Sequence, residues 1–206
     1  MAKTFYIVDD HELLRIGTIS YIEKKSGWVC KGNSGEPEQA LSELSLLSGG
    51  NTLPDLVISD LNFSGDDAGF DFIAELHSLY PKLKIIVYSM FFSAGIVQTA
   101  IQNGAAGYVS KNAPSDELIE CMDNAFSGKT FVQKELRENL VEFNSFTDAL
   151  TQREKQVMAL ILQNFSNIQI AEKLQIRQRA VENYISSIYE KTGINDKKEF
   201  IRRFGM

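Results

Sequence analysis

Only two cysteines, Cys30 and Cys121, occur among the 206 residues, and they lack metal-like spacing. A disulfide framework and a zinc module are therefore excluded, and both thiols are expected to behave as small buried apolar groups. There are also only two histidines, His11 and His77. Two histidines without a catalytic cysteine pattern do not support a histidine-rich metal cluster or a hydrolase triad. No apolar stretch approaches the length of a membrane span, and the amino terminus leads straight into a strand pattern instead of a signal sequence, so the cytoplasm is the expected compartment and no membrane partner is expected. The chain is 44% hydrophobic and 23% charged, the balance of an ordinary globular protein of one or two domains.

The charge is unevenly placed. Residues 1 to 146 carry a net charge of minus nine and residues 147 to 206 carry plus three. An acidic body with a mildly basic tail fits a regulatory half joined to a nucleic-acid-binding half, although ordinary surface chemistry produces a surplus of three as well.

Strand and helix patterns alternate through the first half. Strands are expected near Lys3 to Val8, Trp28 to Asn33, Asp55 to Ser59, Lys84 to Tyr88 and Gly107 to Val109, with helices between them. Five strands in βα units predict a doubly wound five-stranded parallel sheet of the flavodoxin-like α/β class. Past Gly128 only helices are expected: Lys134 to Val141, a polar connector around Asn144 to Asp148, then four helical segments. Thr151-Gln152-Arg153-Glu154 and Ser166-Asn167-Ile168-Gln169 both have the capping-box pattern that opens a helix. A short helix ending at Leu174, a turn at Gln175 to Gln178 and a longer amphipathic helix make a helix-turn-helix arrangement within a small all-α domain. A plain helical bundle is the competing reading. The expected boundaries are 1–128 for the sheet domain, 129–146 for a helical linker and 147–206 for the output domain.

The apolar run Phe5-Tyr6-Ile7-Val8 ends on Asp9-Asp10, and Leu56-Val57-Ile58-Ser59 ends on Asp60. Open α/β sheets bind ligands at the carboxyl edge of their strands. Carboxylates gathered there repel unless a divalent cation sits among them, and hard oxygen donors suit Mg²⁺. Each Asp could instead cap the following helix, where Asp is favoured. Ser89 at the end of the fourth strand and Lys111 after the fifth bring a hydroxyl and an ammonium to the same edge. Such a set can receive a phosphoryl group: Asp60 as nucleophile, Asp9 and Asp10 holding the metal, Lys111 and Ser89 gripping the transferred oxygens.

These residues, with Tyr108 at an aromatic switch position, resemble the receiver domain of two-component response regulators. The strings IVDDHELLR, GAAGYVSKNAPSDEL and LTQREKQVMALILQNFSNIQIAEKL are similar to the NarL/FixJ subfamily, whose output domain is a LuxR-type helix-turn-helix. The resemblance implies phosphorylation of Asp60 by a sensor histidine kinase in a Mg²⁺-dependent reaction, with the metal held by Asp9, Asp10, Asp60 and the backbone of Asn62. It implies a switch carried by Ser89 and Tyr108, and a receiver that catalyses its own modification without turning over a substrate, so that the chain is not an enzyme in the ordinary sense. It also implies DNA binding as a homodimer.

Several positions depart from the family. The loop after Asp60 is one residue longer than usual, with Ser64 where proline is common and with Asp66 and Asp67 adding charge, read as a solvated loop tip. His11 is read as a local structural group and not as a ligand. In the reading helix, Ala180, Glu182 and Tyr184 stand where the family usually presents DNA contacts. Arg177, Gln178, Arg179, Glu182, Asn183 and Ser186 are the candidate DNA-binding residues, Glu182 as an acceptor for cytosine, with flanking charge from Lys173, Lys191, Lys197 and Lys198. The rival function is a signalling adaptor whose output domain binds a protein partner. A Mg²⁺-dependent phosphatase is disfavoured, because Asn62 stands where a second carboxylate is expected.

Overall fold

The computed structural model describes residues 2–63, 68–91, 93–162, 164–194 and 196–204, with the side chains of residues 139, 142, 202 and 203 left out. Ser64, Asp66 and Asp67 lie outside the described residues. The chain divides into two compact units, residues 1–91 with 99–133 and residues 92–98 with 134–206.

The first unit is built on a parallel sheet of β1 (Thr4–Val8), β2 (Val29–Ser34), β3 (Leu56–Ser59), β4 (Lys84–Ser89), β5 (Gly107–Ser110) and β6 (Phe131–Val132), in the order β2-β1-β3-β4-β5-β6. Helices α1 (Glu12–Ser26), α2 (Pro37–Gly49), α3 (Ala68–Leu79), α4 (Ala94–Gln102) and α5 (Ser115–Phe126) connect successive strands. Every residue of β3 and β5 is buried, as is Phe5 to Val8 of β1. Continuous apolar runs are what a strand covered on both faces requires. Phe5, Ile7, Ile22, Trp28, Leu56, Ile58, Ile86, Val109 and Met122 share one core cluster.

The sheet has six strands, not five. Phe131 and Val132 pair with Gly107 and Tyr108, a two-residue edge strand too short to leave a periodic signal. The helix expected to stop near Val141 also continues, as α6 (Lys134–Asp148). Asn144, Ser145 and Thr147 are weak helix formers, but Phe143 and Phe146 on the same helix are buried in the core of the second unit, where their rings meet Phe204 and, for Phe146, Phe200 as well. Burial of aromatic surface overrides local propensity there.

The second unit continues with α7 (Gln152–Leu162), α8 (Asn167–Leu174), α9 (Gln178–Thr192) and α10 (Lys197–Phe204). Val157, Ile161, Ile170, Val181, Ile188 and Phe200 meet in its core. Both capping boxes form. Thr151 N–H donates to Glu154 Oε2 at 2.7 Å while Glu154 N–H donates to Thr151 Oγ1 at 3.3 Å, and Ser166 and Gln169 make the same reciprocal pair. Between α8 and α9 the chain turns through Gln175 at φ 53°, its N–H returning to the end of α8. Among the described residues, no helix is long and apolar enough to cross a membrane.

Candidate functional site

Parallel pairing decides which side chains share an edge. Ile7 is level with Ile58 and Val8 with Ser59, so Asp9 and Asp60, the next residues along, leave the sheet side by side. Asp60 N–H donates to Val8 O and Lys111 N–H to Ser89 O, at 2.9 and 2.8 Å, which carries the ladder one step beyond the strands and fixes those backbones. Gly69, near the start of α3, packs so closely on Leu61 that a Cβ there would overlap the Leu61 backbone. Its lack of a side chain lets the helix press against the residue following Asp60.

Asp9, Asp60 and Lys111 are nearly inaccessible, with 3 to 5% of each side chain exposed. Lys111 Nζ lies 2.8 Å from Asp9 Oδ2 and 2.5 Å from Asp60 Oδ2. Burial alone would pull the ammonium's pKa down, but hydrogen bonds and charge attraction from both carboxylates outweigh it and the value ends above the ordinary lysine value, so the cation is retained. The two Oδ1 atoms face elsewhere: Asp9 Oδ1 accepts His11 N–H at 2.9 Å and Asp60 Oδ1 accepts Leu61 N–H at 2.6 Å. Neither contact caps a helix: α1 opens on His11 without a side-chain cap hydrogen bond, and Leu61 lies well before α3. Asp10 is half-buried, and His11 Nδ1 lies 2.7 Å from its Oδ1.

Ligand atoms from Asp9, Asp10, His11 and Asp60 all fall within 4.8 Å of one another. Three carboxylates are a hard oxygen set and fit a hard divalent cation. Asn62 N–H approaches Asp60 Oδ1 at 3.5 Å, which places the Asn62 backbone beside the cluster. Ser89 is buried at the end of β4, its Oγ accepting from Phe91 N–H at 3.4 Å. Tyr108 is fully buried and its hydroxyl donates to the Phe91 carbonyl oxygen at 2.5 Å. Burial pushes the Tyr108 hydroxyl well above its ordinary pKa, with the Asp60 charge adding to the effect, so it remains a hydrogen-bond donor.

In the second unit, α9 buries Val181 and Ile188 and exposes Gln178, Arg179, Glu182, Asn183 and Ser186, with Arg177 exposed just before it. Gln178 Nε2 donates to Glu182 Oε1 at 3.1 Å, and Ser186 Oγ donates to the Glu182 carbonyl at 3.0 Å. Ala180 and Tyr184 are half-buried, and Tyr184 packs against the helical core. Lys191 is not a free flanking cation: its Nζ is 2.7 Å from Oε2 and 2.8 Å from Oε1 of the buried Glu154. Ser187 Oγ donates to the same Oε1 at 2.6 Å. The sequence exposes Glu154 as a cap but gives no sign of partners 33 and 37 residues away. Of the two thiols, Cys121 is buried as expected and Cys30 only partly so.

A parallel α/β unit with a lysine bridging two buried aspartates at its carboxyl edge, followed by a helix-turn-helix unit, defines a two-part regulator of the signalling class. The family model of the response regulator receiver domain matches residues 5–123, and that of the bacterial regulatory proteins of the luxR family matches residues 148–204. The chain belongs to the response regulators, of the NarL/FixJ type, and its output domain is of the luxR family.

Individual proteins resemble it over most or nearly all of its length. The oxygen regulatory protein NreC of Staphylococcus aureus is 27% identical over 207 residues, covering 95% of this chain and 93% of its own. RcsB from Salmonella enterica serovar Typhimurium, solved bound to a promoter in the presence of the phosphomimetic BeF₃⁻, superposes with a TM-score of 0.73 at 21% identity, covering 98% of each chain. A LuxR-family response regulator from Aurantimonas sp. SI85-9A1 gives 0.63 at 21% identity over 70% of this chain and 99% of its own.

Proposed function

We propose that this protein is a transcription factor switched by phosphorylation of Asp60, the phosphoryl group coming from a sensor histidine kinase, and that it binds DNA through α9 as a homodimer. The reading assigns residues 1–128 to the receiver, 129–146 to a linker and 147–206 to the output. The observation that carries it is the double contact of buried Lys111 with Asp9 and Asp60, because a retained cation beside a buried carboxylate is what an incoming phosphoryl group requires.

Asp9, Asp10, Asp60 and the Asn62 backbone would hold Mg²⁺, which when bound supplies positive charge against the phosphoryl oxygens. A carboxylate oxygen of Asp60 attacks phosphorus while the bond from phosphorus to the donor imidazole breaks, and that imidazole takes up a proton as it leaves. Lys111 turns from Asp60 to the transferred oxygens, and the Ser89 hydroxyl donates to one of them. Tyr108 then follows Ser89, releasing the Phe91 carbonyl and changing the surface between them. The dimer presents two copies of α9, so its half-sites lie about one helical turn apart or a multiple of that. Arg177 and Arg179 neutralise phosphates, while Gln178, Glu182, Asn183 and Ser186 face base edges.

Support comes from the RcsB complexes, whose solved forms include dimers on DNA. Acetyl phosphate with Mg²⁺ should label the wild type and leave Asp60→Asn unlabelled; persistent labelling would move the acceptor elsewhere. Selection from a randomised DNA pool, with and without acetyl phosphate, should recover a common sequence. Recovery of none would favour a protein partner for the output unit, a reading to which the exposed carboxylate of Glu182 on α9 also lends itself.

A further inference from the structure

We propose that Gln133 is a positioning residue for phosphoryl transfer to Asp60: its side-chain amide oxygen holds the backbone turn that carries Lys111. The inference rests on the reading of Asp60 as the phosphoacceptor and adds to it a residue from the stretch read as linker. Gln133 is 7% exposed and belongs to the first unit.

In a parallel ladder the bonds are evenly spaced, and successive N–H groups of an inner strand turn to opposite neighbours. Toward β4, Lys111 N–H finds the Ser89 carbonyl at 2.8 Å. Toward β6, Phe131 N–H donates to Ala106 O at 3.0 Å and Gln133 N–H to Tyr108 O at 3.2 Å. The next donor of β5 on that edge is the Ser110 N–H. β6 ends at Val132 and α6 opens at Lys134, so the strand no longer runs alongside to offer a main-chain carbonyl. The Gln133 side chain takes that place: Ser110 N–H donates to its Oε1 at 3.0 Å. Ser110 is 4% exposed, and a buried N–H stripped of its partner is costly.

Ser110 is also the residue from which Lys111 is aimed. Its carbonyl accepts from Ala113 N–H at 2.9 Å and its Oγ from Asn112 N–H at 3.2 Å, which closes a turn with Lys111 at its second position. From this turn the lysine places Nζ 2.8 Å from Asp9 Oδ2 and 2.5 Å from Asp60 Oδ2. Gln133 thus holds Tyr108 by its main chain and Ser110 by its side chain, bracketing the end of β5 that bears both the switch tyrosine and the lysine. Misplacement by about 1 Å from a change remote from the chemistry can slow a reaction about a hundredfold. A tether one residue from Lys111 has that leverage.

Gln133→Met keeps the length of the side chain and removes the acceptor, whereas Gln133→Glu keeps an acceptor oxygen at the same reach. With acetyl phosphate and Mg²⁺, Gln133→Met should label Asp60 about tenfold more slowly than wild type, within the hundredfold that such misplacement can cost. Gln133→Glu should recover most of the rate. In the full chain grown with ¹³C-lysine, the ε-methylene signal of Lys111, identified by its loss in Lys111→Arg, should shift in Gln133→Met and return in Gln133→Glu. A merely structural loss elsewhere in the sheet would leave that signal in place. Circular dichroism checks the fold; should Gln133→Met fail to fold, Gln133→Asn, which draws the amide back by one methylene, is read in its place with the same expectations. Labelling as fast as wild type overturns the proposal. So does slow labelling with the Lys111 signal unmoved. Wild type that takes no label overturns the reading of Asp60 itself, an outcome distinct from the other two.

Discussion

Glu154→Gln should destabilise the helical unit by about 2 kcal/mol at neutral pH. Glu154 is 4% exposed, and its carboxylate accepts from Lys191, Ser187 and the Thr151 N–H. Hydrogen bonds from Lys191 and then Ser187 lower its pKa from 4.5 to about 2. That difference corresponds to about 3 kcal/mol of stability at neutral pH. Lys191 is 32% exposed, so solvent screening reduces the figure toward 2 kcal/mol. Glutamine retains an acceptor for the Thr151 N–H and for one neighbour, and loses the charge. Because the folded pKa is depressed, the contribution is fully present above 4.5 and is lost as pH falls from 4.5 toward 2. Urea unfolding followed by far-ultraviolet circular dichroism at pH 7, 5 and 3 measures it. The gap between wild type and variant should be largest at pH 7 and less than half as large at pH 3. A gap under about 0.5 kcal/mol at pH 7, the worth of an ordinary exposed pair, or one unchanged at pH 3, would refute the reasoning.

Lys111→Met should lower stability by about 3 kcal/mol without divalent ions, since it leaves buried Asp9 and Asp60 with uncompensated charge; thermal melts with and without Mg²⁺ should show the ion restoring part of the loss. Gly69→Ala forces a Cβ into the Leu61 backbone and should cost about 2 kcal/mol, together with slower acetyl phosphate labelling of Asp60; normal stability and labelling would show that the approach relaxes freely. Glu182→Lys exchanges an exposed anion for a cation on the reading face and should tighten nonspecific DNA binding while steepening the salt dependence by about 1 in log–log slope. An unchanged slope in gel-shift titrations would remove Glu182 from the DNA-facing surface.

Much of the architecture is carried by local pattern. The unbroken apolar runs Phe5–Val8 and Leu56–Ser59 predict buried parallel strands because both faces must be covered. Thr151 with Glu154 and Ser166 with Gln169 announce two helix starts, since each pair satisfies backbone donors within four residues. The spacing of Val181 and Ile188 separates the buried and exposed faces of α9 by helical period alone. The placement of Asp9, Asp60, Ser89 and Lys111 at strand ends follows from the same runs.

Other features depend on contacts between distant segments. β6 is a strand only because Gly107 and Tyr108 offer an edge to Phe131 and Val132. α6 continues through Asn144 to Asp148 because Phe143 and Phe146 are held by aromatic rings near the chain's end. Lys191 looks like a surface cation until the packing of α7 against α9 delivers it to Glu154. At the acidic edge, the residue types and their order were set by the sequence alone. Only the register of β1 against β3 brought Asp9 level with Asp60, and only the folded sheet delivered buried Lys111 to both of them, because charges separated by fifty or a hundred residues interact through space and not through the chain.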